Sequence, residues 1–183
     1  QLVDVTIENG EYSFGYDKLR RWISLFKKNG GEYLEISHLF SQWGAKYAPR
    51  ITAKVNGRTK EIFGWKTSGT SMEYQNFLKL CLPGFVEVLK EEGVADRTFF
   101  HISDEPTVES LTDYMNAKAL VEPYLKGFYI MDALSNIEFY RNGAVERPVV
   151  GIDHIHTFID ENVPSLWGYY CCGHVVNVSN LLI

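Results

Sequence analysis

Arg97-Thr98-Phe99-Phe100-His101-Ile102-Ser103 (residues 97–103) runs straight into Asp104-Glu105-Pro106 (residues 104–106). Within the first seven, Thr98 to Ile102 are aromatic or β-branched in the manner of a buried strand. Two adjacent carboxylates at the end of such a strand are costly unless they are solvated, paired or used. Neighbours on a regular strand face opposite ways, so both reach one site only where the strand ends. Pro106 helps impose that ending, because it lacks a ladder donor. On local sequence alone, a second role stays open: acids just ahead of a helix suit its dipole.

Outward from this segment the chain alternates. Tyr16 to Asn29 reads as a helix with Leu19, Trp22, Ile23 and Phe26 on one face and Gly30-Gly31 as its stop. Tyr33 to His38 follows as a short strand. Residues 41–71 form a long loop, and within it Ile51–Val55 and Thr59–Trp65 flank Asn56-Gly57, a strong hairpin signal. Met72 to Glu92 reads as a second helix, which Pro83-Gly84 should kink or split. After the strand at 97–103, Thr107 is placed as N-cap of a helix to about Leu125, closed by Gly127. Phe128–Met131 is a strand, Ser135–Arg141 a short helix, Val149–Ile155 a strand, Phe158–Val163 a crossover and Trp167–Cys172 the last strand.

Strand–helix alternation calls for parallel strands with covering helices. The strands end in polar residues: Ser37-His38, Asp104-Glu105, Asp132, Asp153-His154 and Cys172 to His174. In a (β/α)₈ barrel such ends ring the active site. A doubly wound sheet would instead carry a glycine-rich phosphate turn after an early strand, and neither GxGxxG nor GxxxxGK[ST] occurs. The expected fold is therefore α/β: a partial (β/α)₈ TIM-type barrel of about five parallel strands, with covering helices and a β-hairpin insertion. A whole barrel takes about 250 residues and this chain has 183, so residues 1–183 are read as an incomplete barrel that begins in a loop. Its open sheet edges are expected to be adhesive, predicting a homodimer that covers them.

Composition narrows the function classes. Hydrophobic residues make up 45% and charged residues 22%, the profile of a globular chain with a substantial core. No apolar run reaches the roughly 18 residues of a membrane span. A net charge of −5 without a Lys/Arg block gives no footprint for nucleic acid or an anionic membrane. The chain starts at Gln1 rather than Met, as a processed product or excised piece would, and Gln1–Asp4 shows no export signal. Cytoplasmic and secreted settings both stay open. Cys81, Cys171 and Cys172 form no CxxC pair and read as reduced thiols.

Ile102-Ser103-Asp104-Glu105-Pro106, Glu35-Ile36-Ser37-His38-Leu39-Phe40 and Trp167-Gly168-Tyr169-Tyr170 together resemble glycoside hydrolase family 123. That family comprises β-N-acetylgalactosaminidases and the associated proteins of domain of unknown function 4091. The resemblance runs through essentially the whole chain. It implies a bacterial-type glycosidase, with the strands here as the barrel's third to seventh. It further implies a substrate-assisted retaining mechanism, an exception to the two-carboxylate scheme: the acetamido oxygen of a terminal β-linked N-acetylhexosamine, N-acetylgalactosamine favoured, attacks the anomeric carbon. Glu105 matches the general acid. Asp104 matches the residue that orients the acetamido N–H and stabilises the oxazolinium. No cofactor follows from it.

Further substrate-binding candidates are Tyr169 or Tyr170 for the acetamido oxygen, His38 and Asp132 for sugar hydroxyls, and Trp43 or Trp65 for stacking on a sugar face. Each has a structural role as its alternative, barrel packing for the tyrosines and hairpin anchoring for the tryptophans. Two other functions compete. One is a non-catalytic or inactive carbohydrate-binding barrel remnant. The other is a metal-dependent hydrolase in which His154-Ile155-His156 puts two imidazoles on one strand face, with His38, His101, Asp132 and His174 as further ligands. A lone HxH is a weak signal, and no metal site is assigned.

Overall fold

The computed structural model describes residues 1–164 and the strand at 168–170, the latter in its backbone only. The side chains of Tyr169 and Tyr170, and Trp167, Cys171, Cys172 and His174, lie outside the described residues. The elements are β1 (Asp4–Glu8), β2 (Glu11–Gly15), α1 (Asp17–Lys28), β3 (Leu34–Glu35), β4 (Ile51–Val55), β5 (Arg58–Phe63) and α2 (Met72–Glu91). Then come β6 (Thr98–Phe100), α3 (Leu111–Val121), β7 (Tyr129–Leu134), α4 (Glu138–Arg141), β8 (Arg147–Gly151), α5 (Ile155–Asp160) and β9 (Gly168–Tyr170).

These strands make two sheets. Five of them form a wholly parallel sheet in the order β3-β6-β7-β8-β9, the arrangement that strand–helix alternation predicts. Each strand lies beside its predecessor in that sheet. Among the described residues the sheet is open, with β3 and β9 at its edges, so the fold stands as mixed α/β with a parallel sheet. Beyond Glu35 the pairing continues irregularly, as Ile36, Leu39 and Phe40 donate their N–H groups to the carbonyls of Phe99, His101 and Ile102. The strand expected over 33–38 is therefore only two residues of regular ladder.

The second sheet is mixed, in the order β2-β1-β4-β5. The chain starts with a hairpin, not a loop. Asp4 to Gly15 alternates apolar and polar residues around Asn9-Gly10, and both turn residues are left-handed (φ 52° and 84°), as a type I′ turn requires. β1 then pairs in parallel with β4, Thr6 opposite Lys54. The hairpin at Asn56-Gly57 is thus half of a four-stranded sheet rather than loop decoration. Tyr12 and Phe14 share a face and pack edge-on against Phe77 of α2, at 5.9 and 5.8 Å between ring centroids.

α2 joins the two sheets. Ser71 caps it by accepting from the Tyr74 N–H at 3.3 Å. It runs unbroken through Pro83, where a kink or break was expected. A proline there removes one helical donor. Burial of Cys81, Leu82 and Val86 on either side, and the Tyr16 hydroxyl donating to the Cys81 carbonyl at 3.1 Å, hold the turn together. Beyond β6 the helical stretch opens with a 3₁₀ turn at Val108–Ser110, and the Thr107 side chain caps none of its N–H groups. β8 ends at Gly151, and the His154 N–H closes a turn onto the Gly151 carbonyl at 2.9 Å. The strand expected to reach Ile155 stops four residues sooner.

One face of the parallel sheet packs on helices through Phe100, Ile102, Leu134 and Val150, all without exposed surface. On the other face Tyr33, Phe99 and Tyr129 form a ladder of rings at 6.0 and 6.2 Å, and the Arg147 guanidinium sits 4.7 Å from the Tyr129 ring centroid. Tyr33 and Tyr129 are exposed there. This face carries the cleft.

Candidate active site

A cleft of about 540 Å³ opens beside the C-terminal ends of β3 and β6. Glu35, Ser37, His38, His101 and Asp104 supply its polar lining, and Met131, Ala133 and Val149 are among its apolar walls. Asp104 is partly exposed at its mouth. Glu105 is half-buried beside it, with a left-handed backbone (φ 41°) that is uncommon for a residue with a side chain. The strand ladder has stopped at Phe100, so the acidic pair occupies an irregular turn and not strand positions.

That turn is clamped from the neighbouring loop. Ser103, fully buried, accepts from the N–H groups of Gly44 and Ala45 at 3.0 Å each and donates to the Ser41 carbonyl at 2.8 Å. The Trp43 N–H donates to the Asp104 carbonyl at 2.8 Å. Trp43, Gly44 and Ala45 are all left-handed (φ 60°, 120° and 63°). A Cβ on Gly44 would lie 2.1 Å from the Ser110 Cβ, so the close approach of this loop needs glycine. Trp43 and Trp65 are both exposed, with ring centroids 6.5 Å apart.

Asp132 projects from β7 beneath the cleft and has no exposed surface. One of its oxygens meets His101 Nδ1 at 3.0 Å; the other accepts from the Ile102 N–H at 3.0 Å and from the Tyr114 hydroxyl. Burial pushes the Asp132 pKa up against these donors, and burial with the adjacent carboxylate pushes the Tyr114 hydroxyl well up. For His101, burial alone would lower the pKa, but the hydrogen bond and charge of Asp132, helped by Glu35, raise it. His38 goes the other way. Its partial burial outweighs the nearby carboxylates and lowers it.

The structure thus brings Asp104, Glu35, His38 and His101 to one cleft, with Glu105 in the adjacent turn, and sets Asp132 behind His101. His38 Nε2 is 4.0 Å from Asp104 Oδ1, and the His38 and His101 rings are 4.9 Å apart. Sequence reasoning named His101 only as a possible metal ligand and gave Glu35 no role. The pairing of His101 with Asp132 joins adjacent strands, which no local motif reports. The His154–His156 pair does not form the expected strand face. His154 precedes α5 and His156 lies within its first turn, and residues two apart on a helix do not face each other. Among the described residues one group of His and carboxylate atoms is close enough to share a cation: His38, His101 and Asp132, within 4.8 Å. The Asp132 oxygens there are already engaged by protein donors.

The family model described as "Glycoside hydrolase 123, catalytic domain" matches residues 1–183. No curated protein matches the chain. Among solved structures, a family 123 glycoside hydrolase from Clostridium perfringens, whose structural analysis concerns glycolipid glycan hydrolysis, is similar in fold. Its TM-score is 0.68 at 18% sequence identity, over 98% of this chain. The present chain spans 33% of that structure.

Proposed function

Because this chain belongs to glycoside hydrolase family 123, we propose that it carries the acid–base turn of a glycosidase cleaving terminal β-linked N-acetylhexosamine, N-acetylgalactosamine favoured. The observation that carries the reading is the position of Asp104 and Glu105. They follow a parallel strand's C-terminal end, and Asp104 lines a cleft with apolar walls. In this reading the five sequential parallel strands are the third to seventh of a (β/α)₈ barrel, and that end of the sheet is where such barrels place their chemistry.

Glu105 protonates the leaving glycosidic oxygen as the substrate's acetamido oxygen attacks the anomeric carbon. The same carboxylate then takes a proton from the water that opens the oxazolinium ring. Asp104 accepts from the acetamido N–H and offsets the positive charge on the ring. Trp43 offers a face for the sugar, His38 and the side chains of Tyr169 or Tyr170 offer hydrogen bonds, and Asp132 acts through His101. Self-association through the open sheet edges remains part of the proposal, checked by light scattering on the purified chain: a dimer is expected, and a monodisperse monomer removes it.

Hydrolysis of chromogenic β-N-acetylgalactosaminides and β-N-acetylglucosaminides tests the enzymatic reading. Glu105→Gln should lower kcat about 10²- to 10⁴-fold for a poor leaving group, and far less for an activated one. Asp104→Asn should lower kcat with little change in binding. Sugar binding without turnover in the parent protein would identify a binding module instead.

A further inference from the structure

Glu35 and His101 face each other across the floor of the cleft, and the acid–base chemistry above uses neither directly. Glu35 Oε2 lies 3.5 Å from His101 Nε2, beyond the usual length of an N–H···O bond. The two make a long ion-pair contact when the imidazole is protonated, one that a ligand hydroxyl can bridge. Both line the cleft; the Glu35 side chain is 65% exposed and that of His101 11% exposed. Asp132 binds Nδ1 of His101 at 3.0 Å, which turns Nε2 toward Glu35 and the cleft.

We propose that Glu35 and His101 form an acceptor–donor pair that binds two adjacent ring hydroxyls of the sugar, with Asp132 as the positioning residue that presents His101. The inference rests on the glycosidase reading and adds to it the part of the sugar that these residues recognise. Adjacent hydroxyls on a pyranose are neighbouring groups, each able to donate and to accept. A carboxylate only accepts, whereas an imidazole whose Nδ1 is held by a carboxylate donates through Nε2 once it is protonated. Placed side by side, they accept from one hydroxyl and donate to the next. A sugar with one of the two hydroxyls inverted or missing leaves one partner unpaired, which is where hydrogen-bonded sites gain discrimination. The apolar Met131 and Ala133 beside the pair suit the C–H face of the ring.

The test is titration of the protein with methyl β-galactoside, methyl β-N-acetylgalactosaminide and their 3-deoxy and 4-deoxy analogues. Affinities are read by titration calorimetry, and the His101 ring resonance, assigned by its loss in His101→Gln, reports where the sugar binds. Saturable binding that moves the resonance is expected. Glu35→Gln and His101→Gln should each weaken the parent sugars about tenfold. A deoxy analogue lacking a bound hydroxyl should bind the parent protein about tenfold more weakly, and that penalty should shrink to about twofold in the variant lacking the hydroxyl's partner while persisting in the other variant. Asp132→Asn should shift the His101 titration midpoint down and reduce sugar affinity with the helical spectrum retained. If it unfolds the protein, the exposed Glu35→Gln still decides.

No saturable binding of any of these sugars, or deoxy penalties none of which is reduced in Glu35→Gln, overturns the pair. Failure of the acetamido mechanism looks different: the galactoside binds as well as the N-acetyl sugar, still through Glu35 and His101, and Glu105→Gln leaves turnover unchanged.

Discussion

The main-chain N–H of Trp43 donates to the carbonyl of Asp104 at 2.8 Å, so a loop that carries a large exposed ring is tied to the acidic turn itself. Ser103 completes the tie by bonding to Ser41, Gly44 and Ala45 from a fully buried position. Ser103→Ala strands the buried Gly44 N–H and leaves the Ala45 N–H and the Ser41 carbonyl only their bond to each other at 3.1 Å. At about 1–3 kcal/mol for an unsatisfied buried group, stability should fall by about 1–3 kcal/mol in urea titration. Trp43 fluorescence should change in the same variant, and an unaltered spectrum and midpoint would show that the loop holds its shape without Ser103.

Glu105 adopts a left-handed backbone with φ 41°, a conformation costing a side-chain-bearing residue about 1 kcal/mol. Glu105→Gly should therefore raise stability by about 1 kcal/mol relative to Glu105→Gln, which keeps the backbone cost. Both variants should lose turnover. Equal unfolding midpoints for the two would mean that the turn is held without strain.

The two cleft imidazoles make opposite contributions to stability against pH. The His38 pKa is lowered, mainly by burial, so the folded state binds fewer protons than the unfolded one just below pH 6.5, and stability rises as pH climbs toward that value. The His101 pKa is raised: Asp132 and Glu35 outweigh burial. Its contribution is complete below 6.5 and is lost as pH rises through the folded value. Asp132, also raised, adds a downward slope starting in the acidic range, above 3.8. Denaturant midpoints between pH 5 and 8 should show the fall above 6.5 flatten in His101→Gln. The rise below it should flatten in His38→Gln. The charged groups around the pair are Glu35, Asp104 and Asp132, and Tyr114 bonds the last.

Activity should be independent of added metal. His38, His101 and Asp132 come within 4.8 Å of one another, but the Asp132 oxygens already accept from Ile102 and Tyr114 and bond His101. Dialysis against a chelator should leave turnover unchanged, and elemental analysis should find no stoichiometric metal. Loss of activity restored by one divalent cation would reassign the cluster.

Much of the frame was legible in the residues because it rests on local signals. The α1 stripe of Leu19 and Ile23, the Asn56-Gly57 turn and the apolar segment before Asp104 each declare themselves within a few positions. The opening hairpin was as legible as the second, since Asn9-Gly10 is the same turn signal between alternating flanks, and its reading as a loop was a misreading of pattern. The stop of β8 at Gly151 was harder. Val149 to Ile155 is apolar enough for a strand, and only the turn closed by the His154 N–H separates it from α5. The His101–Asp132 pair could not be read at all, because two side chains on neighbouring strands meet only after the sheet has its register.

Thr6 lies opposite Lys54 in a parallel ladder that joins the first strand to a strand beyond α1 and β3. The two hairpins can each close early through short loops, and α1 can form on its own periodicity. Their union has to wait until the intervening chain has been gathered in, which makes it a late event with a large closure entropy. Refolding should therefore regain helical signal before Phe77 becomes shielded by Tyr12 and Phe14, leaving the small sheet as the last part of the molecule to assemble.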